Sequence, residues 1–290
     1  MFSQFFGNYL LENQKITAEQ FASCMDYIKE NRVKLGLIAE KEGLLSREQA
    51  EELNELQTQS DKRFGDLAIE NGYLTEYDVS YLLSRQGNLY LIFVQALEEN
   101  NILTRDEVDQ EIPAFQSSYG FSDEQLKAVE DGDIEKVLPA FIGDEDSKYI
   151  PLVGLALRNL IRFVSSYIRI DKGTTVSSLS SRYMAYQRTT GDYDGFLGFA
   201  SDDDESLLSI AEAFAKETFD AMDEDALDSV SEFTNCINGL YATEQSYQNI
   251  SIDMLPPEFL FDGTIEDQDN FIVIPVFIEG QKVNLFVKAE

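Results

Sequence analysis

DALDSVSEFTNCINGLY, residues 225–241, reads as an amphipathic helix. At about 100° per residue, Leu227, Val230, Phe233, Thr234, Ile237, Leu240 and Tyr241 fall on one side. Asp228, Glu232, Asn235 and Gly239 line the other, at spacings of four, three and four. A carboxylate and a carboxamide three residues apart on a helix sit about 5–6 Å apart at Cβ, so Glu232 and Asn235 can enter one partner site together. The plain alternative for the polar stripe is a solvated helix face.

Outward from this stretch, the second half of the chain reads as α+β. Tyr149 to Ile170 reads as a long helix. A Ser/Thr-rich strand region through Thr175 and Val176 follows, then a strand with Tyr183 and Ala185 in alternation. Next come a turn from Gly191 to Gly195, a strand at Phe196–Ala200 and a helix from Leu207 to Phe219. After the quoted helix come a strand at Ile250–Met254, the bend Pro256-Pro257, and a hairpin of Phe271–Ile278 and Lys282–Lys288 turning at Glu279-Gly280.

The quoted spacing, Asp-x-x-x-Glu-x-x-Asn with a glycine four residues on, resembles the active-site helix of the CheX, CheC and FliY type of chemotaxis phosphatase. The order of elements and the segments Gly191-x-x-x-Gly195-x-Leu197 and ISIDMLPPEFLFDG (250–263) resemble the same family. The resemblance implies an antiparallel sheet with long helices packed on it. It implies hydrolysis of the phospho-aspartate of a phosphorylated CheY-like response regulator that carries its own Mg²⁺, with no cofactor from this chain. It gives Asn235 the role of placing the attacking water and Glu232 that of pairing with the receiver's lysine. Asp228 would support docking at the rim. A non-catalytic adaptor that binds a receiver or cyclic di-GMP and passes a signal between its halves, and a scaffold that forms a homodimer through its sheet, are the other two readings.

Composition narrows the field further. The 290 residues carry 54 acids against 22 bases, a formal charge of −32, so nucleic acid would be repelled over most of the surface. There is no histidine, which removes Ser-His-Asp and Cys-His catalysis and histidine metal ligation. The two cysteines, Cys24 and Cys236, read as reduced, buried thiols. Neither the N-terminus nor the Arg-interrupted segment Tyr149–Ile170 reads as a signal peptide or a membrane span. The expectation is a cytoplasmic protein.

The first hundred residues repeat with a period of 29. Phe6-Gly7, Leu35-Gly36 and Phe64-Gly65 recur at that interval, with a decayed copy at Phe93-Val94. Polar bends follow at Asn13-Gln14, Glu42-Gly43, Asn71-Gly72 and Asn100-Asn101. Helix starts follow at Ile16-Thr17, Leu45-Ser46, Leu74-Thr75 and Leu103-Thr104. Ser or Thr serves as N-cap, with Glu19, Glu48, Glu76 and Glu107 favouring the helix N-termini. The unit is helix–turn–helix.

Copies two and three resemble the MshEN domain, a cyclic di-GMP-binding module. The matching residues are Arg63-Phe64-Gly65, Gly72 and Gln86 in copy three, and Lys34-Leu35-Gly36 and Gly43 in copy two. The resemblance implies cyclic di-GMP bound by Lys34, Gly36, Gly43, Arg63, Gly65, Gly72 and Gln86. On the residues alone, the same glycines serve equally as helix caps and close-packing positions. The domain plan is thus an all-helical repeat over 1–112, an acidic connector with one short helix over 113–147, and an α+β domain over 148–290. Gly143 to Ser147 marks the boundary.

Overall fold

The computed structural model describes residues 1–59, 62–143, 146–192 and 194–289. Asp144 and Glu145 of the expected boundary and Tyr193 of the expected Gly191–Gly195 turn lie outside the described residues. The chain divides into two compact units. One comprises residues 2–118 with 130–132; the other comprises 119–129 and 133–290, together with Met1. Among the described residues no helix is long and apolar enough to cross a membrane.

The first unit is helical. Its elements are α1 (Phe2–Glu12), α2 (Ala18–Glu30), α3 (Leu35–Lys41), α4 (Arg47–Gln59), α5 (Phe64–Glu70), α6 (Glu76–Ser84), α7 (Leu89–Glu99) and α8 (Arg105–Tyr119). The 29-residue period is visible in the backbone. The left-handed residues that end the first helix of each copy are Gln14, Gly43, Gly72 and Asn101, with φ of 56, 70, 72 and 55°. The second helices start at Thr17, Ser46, Thr75 and Thr104. Each hydroxyl accepts from the backbone N–H three residues on, and the side chain there accepts from the cap's own N–H. These are four reciprocal capping boxes. Their partners are Gln20, Gln49, Asp78 and Glu107; of the acids expected from the sequence, Glu107 alone makes the reciprocal bond. An amide oxygen closes the box as well as a carboxylate does.

The helix pairs close on an aromatic core. Phe2, Phe6, Tyr9 and Phe115 pack edge to face, tilted or stacked, with ring centroids 5.2–6.0 Å apart. α8 continues through Pro113, which has no N–H to donate to the helix, and Phe115 just beyond it is buried. Residues 113–147, expected as an acidic connector with one short helix, therefore begin inside α8. They continue through α9 (Asp123–Asp131), α10 (Ile134–Val137) and α11 (Pro139–Ile142). Phe121 and Phe141 pack together at 5.9 Å.

The second unit continues with α12 (Ile150–Phe163), β1 (Ile168–Ile170), β2 (Thr174–Gly191), β3 (Gly195–Ser201), α13 (Leu208–Ala215), α14 (Glu224–Ser246), β4 (Ile252–Met254), β5 (Glu258–Ile278) and β6 (Gln281–Lys288). The expected single helix over Tyr149–Ile170 is in fact a helix followed by a strand. Two serines, Ser165 and Ser166, interrupt it, and Ile168 and Ile170 are buried on alternate residues against β5. β-branched residues in alternation favour the pleated edge over another helical turn.

The sheet is antiparallel throughout, in the order β1-β5-β6-β3-β2-β4, with β5 pairing a second time to β2. One row of partners runs Phe259–Ala185–Phe199–Leu285–Ile274 and so begins and ends on β5. The long strands β2 and β5 bend round until the sheet closes on itself. Alternation then assigns the faces. Met184, Tyr186, Phe196, Ala200, Ile265, Phe271 and Phe286 fill the inside of the closure, and the other face takes the helices. The β5–β6 hairpin turns at Glu279 and Gly280, both at positive φ, as a tight two-residue turn requires.

The fourth capping box supplies a test. The Thr104 backbone N–H and hydroxyl hold the Glu107 carboxyl below its ordinary range. A depressed carboxyl stabilises above its unfolded pKa and loses that contribution as pH falls through the folded one. Thr104→Ala, which removes the capping hydroxyl and its bond to that carboxyl, should therefore destabilise the start of α8 at neutral pH. The cost should shrink near pH 3, read as hydrogen-exchange protection over residues 105–119.

Candidate functional site

α14 starts at Asp223, whose carboxylate accepts from the Ala226 N–H at 3.0 Å, with Glu224 and Asp225 in the first turn where the helix dipole favours them. Ala226, Leu227, Val230, Phe233, Thr234, Ile237 and Tyr241 are buried. Phe233 stacks on Phe199 of β3 at 5.8 Å and lies 5.4 Å from Phe214 of α13. Leu240, expected on the packed side, is 44% exposed. At 100° per residue it stands about 100° from the centre of the buried stripe, beyond the reach of the sheet.

Asp228 and Glu232 are exposed and Asn235 is half-buried. The helix thus presents the polar stripe outward, with Asn235 at its inner margin. The Asn235 Nδ2 donates to Glu232 Oε2 at 3.3 Å, so carboxamide and carboxylate are brought together. Asp228 lies a turn away, beside an open acidic groove of about 470 Å³ lined by Glu217, Thr218, Phe219, Asp225 and Ser229. Gly239 faces Met254, which with Leu240 and Leu255 leaves apolar side chains exposed near the C-terminal end of the stripe. Cys236, expected to be buried, is exposed and free, because it follows Asn235 on the outward side of the helix, while Cys24 is buried as expected.

Two residues that the sequence reading did not single out complete the site. Gln187 of β2 is 1% exposed, and its Nε2 donates to Asn235 Oδ1 at 2.7 Å and to the Leu255 carbonyl at 2.8 Å. Asn238, equally buried, donates from Nδ2 to Gln187 Oε1 at 3.0 Å and to the Gln187 carbonyl at 3.4 Å. The signal was present. The alternation through Tyr183 and Ala185 extends to position 187, where a carboxamide stands on the helix-facing side of a buried strand. Such a group needs partners.

The N-terminal set disperses into separate structural tasks. A Cβ on Gly36 would press on Phe64 at 3.1 Å, and one on Gly65 would meet Val79 at 2.8 Å, so both permit close helix contact. Gly43 and Gly72 are left-handed caps with open space beside them. Gln86 donates to the Val33 carbonyl at 2.9 Å. Arg63 is exposed at the N-cap of α5. Lys34 pairs with Glu99. Of the seven, Lys34 and Gly36 line a groove of about 60 Å³, together with Arg47 and Arg105. Arg47 pairs with Asp106 at 2.8 Å, and Arg105 with Glu40 at 2.6 Å and Glu98 at 3.0 Å. The cations of this groove are neutralised from within.

Among the described residues, no group of three or more His, Cys, Asp or Glu side chains is placed to hold a metal ion. The site offers the hydrogen bonds of its carboxamides and the surface carboxylates of Asp228 and Glu232. It can orient a water or a phosphoryl oxygen and dock a cation.

No curated protein matches the chain. Several solved structures are similar to its C-terminal half. A chemotaxis protein CheX from Desulfovibrio desulfuricans shares 16% identity at a TM-score of 0.43, covering 50% of this chain and 99% of that one. A CheC-like superfamily protein from Shewanella sp. PV-4 shares 19% at 0.42, covering 47% and 93%. A CheX–CheY–BeF₃–Mg²⁺ complex from Borrelia burgdorferi shares 17% at 0.39, covering 48% and 95%. Residues 183–277, a span that contains Gln187, Glu232, Asn235 and Asn238, match the family model described as chemotaxis phosphatase CheX.

Proposed function

We propose that the C-terminal domain hydrolyses the phospho-aspartate of a CheY-type receiver domain. The observation that carries this reading is the outward presentation of Glu232 and Asn235, in contact with each other, on a helix whose other side is packed against the sheet. The match to a phosphatase family model over the same residues supports it.

Hydrolysis of an acyl phosphate needs a placed water and neutralised charge on the transferring group. The receiver brings its own Mg²⁺ and lysine. This chain supplies direction. The Asn235 Oδ1 has two lone pairs, one of which Gln187 occupies, so the other can accept a hydrogen bond from the attacking water. Of the two Nδ2 hydrogens, one faces Glu232 and the second can meet a phosphoryl oxygen. Glu232 pairs with the receiver lysine and sets the approach of the helix. Asp228 and the acidic groove beside it extend the negative face toward a cationic partner surface. The exposed Leu240, Met254 and Leu255 supply apolar contact.

The first unit reads best as a helical scaffold. Cyclic di-GMP, the ligand that the repeat resembles a site for, would have to displace the ion pairs of Lys34, Arg47 and Arg105. It would also have to open a groove several-fold smaller than small-ligand pockets of about 300 Å³ and more.

Three outcomes test these assignments. Asn235→Ala should lower turnover of a phosphorylated CheY-type receiver about 100-fold while leaving its affinity unchanged; an adaptor would have no turnover to lose. Glu232→Lys should raise the Kd for a BeF₃-loaded receiver about 10-fold by opposing cation to cation, and an unaltered titration would remove the docking role. Calorimetry with cyclic di-GMP should give no heat at tens of micromolar, and a saturable signal would restore the nucleotide reading.

A further inference from the structure

Asn235 is more than an asparagine on a helix surface, because its amide has a fixed sense. A solvated asparagine turns freely about its last side-chain torsion and samples both placements of oxygen and nitrogen. Here two backbone carbonyls remove that freedom. The Leu255 carbonyl can only accept, so the end of Gln187 that meets it must be Nε2. The Gln187 carbonyl likewise can only accept, so the end of Asn238 that meets it must be Nδ2, which turns Gln187 Oε1 toward Asn238. Both constraints give Gln187 the same orientation. Its remaining Nε2 hydrogen points at Asn235, which must answer with Oδ1. The Asn235 Nδ2 is thereby sent outward, toward Glu232.

The chain of donors runs one way, and no member can reverse without setting donor against donor or acceptor against acceptor. Leu255 is itself held, since its N–H donates to the Arg188 carbonyl at 3.0 Å as β2 and β4 pair beside it. The orientation is therefore set by strand register, upstream of any side chain. At 1% exposure Gln187 and Asn238 are withdrawn from bulk water, so an unmade bond there is costly.

We propose that Gln187 is a positioning residue, held by the Leu255 carbonyl and Asn238, which fixes the amide sense of Asn235 so that one oxygen lone pair and one N–H hydrogen remain for water and phosphoryl group. This rests on the phosphatase reading above. Gln187 touches neither reacting group. Its effect is to order the carboxamide before the receiver arrives.

The test uses the full chain with Gln187→Met, which keeps the shape and removes the donors. Turnover of a phosphorylated CheY-type receiver should fall about 10- to 100-fold. KM, and affinity for the BeF₃-loaded receiver, should not change, as they would if the helix were simply displaced. Added to Asn235→Ala, the same substitution should cost nothing further. Full turnover in Gln187→Met, or an undiminished loss in the Asn235→Ala background, would overturn the proposal. Side-chain amide NMR of the wild-type chain, assigned through Asn235→Ala, provides a second reading independent of turnover and of how well Gln187→Met folds. The Asn235 NH₂ pair should be motionally restricted on the ps–ns timescale, and averaged signals would sink the idea. A wild-type chain that hydrolyses no phosphorylated receiver but shows a restricted Asn235 amide would remove the phosphatase reading and leave the positioning role in place.

Discussion

The structure of the C-terminal domain depends on one side of α14 being pressed against the sheet. Leu227, Val230, Phe233, Thr234, Ile237 and Tyr241 are buried, and Phe233 lies flat on Phe199 of β3. Burial of several large apolar side chains, at roughly 1.5–3 kcal/mol each, leaves the helix little freedom to roll about its axis. The stripe of Asp228, Glu232 and Asn235 owes its outward aim to that restraint. The sheet can offer a firm surface because its other face is not free: β2 and β5 wrap it closed around Phe196, Phe271 and Phe286.

The chemistry asked of such a site is modest and geometric. A carboxamide is a weak acid and a weak base, so it contributes direction, not proton transfer. Direction is worth something only if the group is held before its partner arrives. Buried amides placed behind Asn235, tied to the backbone of β2 and the segment after β4, provide that hold. In the proposed hydrolysis the metal and the phosphorylated carboxylate belong to the other protein, so the role asked of this chain needs no histidine.

The first unit answers a different physical problem. Short helices are marginal alone, and here they are fixed at both ends by a repeated device: a left-handed residue closing one helix and a reciprocal capping box opening the next, 29 residues apart. Gly43 and Gly72 do the first task by conformational freedom, while Gln14 and Asn101 accept the same backbone with side chains attached. The ion pairs of Lys34, Arg47 and Arg105 leave these three cations already engaged.

Local chemistry was legible in the residues. The 29-residue repeat, the bends at Asn13-Gln14 to Asn100-Asn101, the amphipathic reading of 225–241 and the Glu279-Gly280 turn all rest on contacts within a few positions, and the sequence determined them. Where the signal was local but ambiguous the reading erred. Ile168–Ile170 continued an apolar run that looked helical until β5 paired with it, and Leu240 sat at an angle only the sheet's width could judge. What tertiary structure alone decided was the second pairing of β5 to β2 and the convergence of Gln187, Asn238 and the Leu255 carbonyl behind Asn235. Those groups are 48, 3 and 20 positions from Asn235 in the chain. They meet because strand register and helix rotation put them together, and no periodicity in one dimension encodes that meeting.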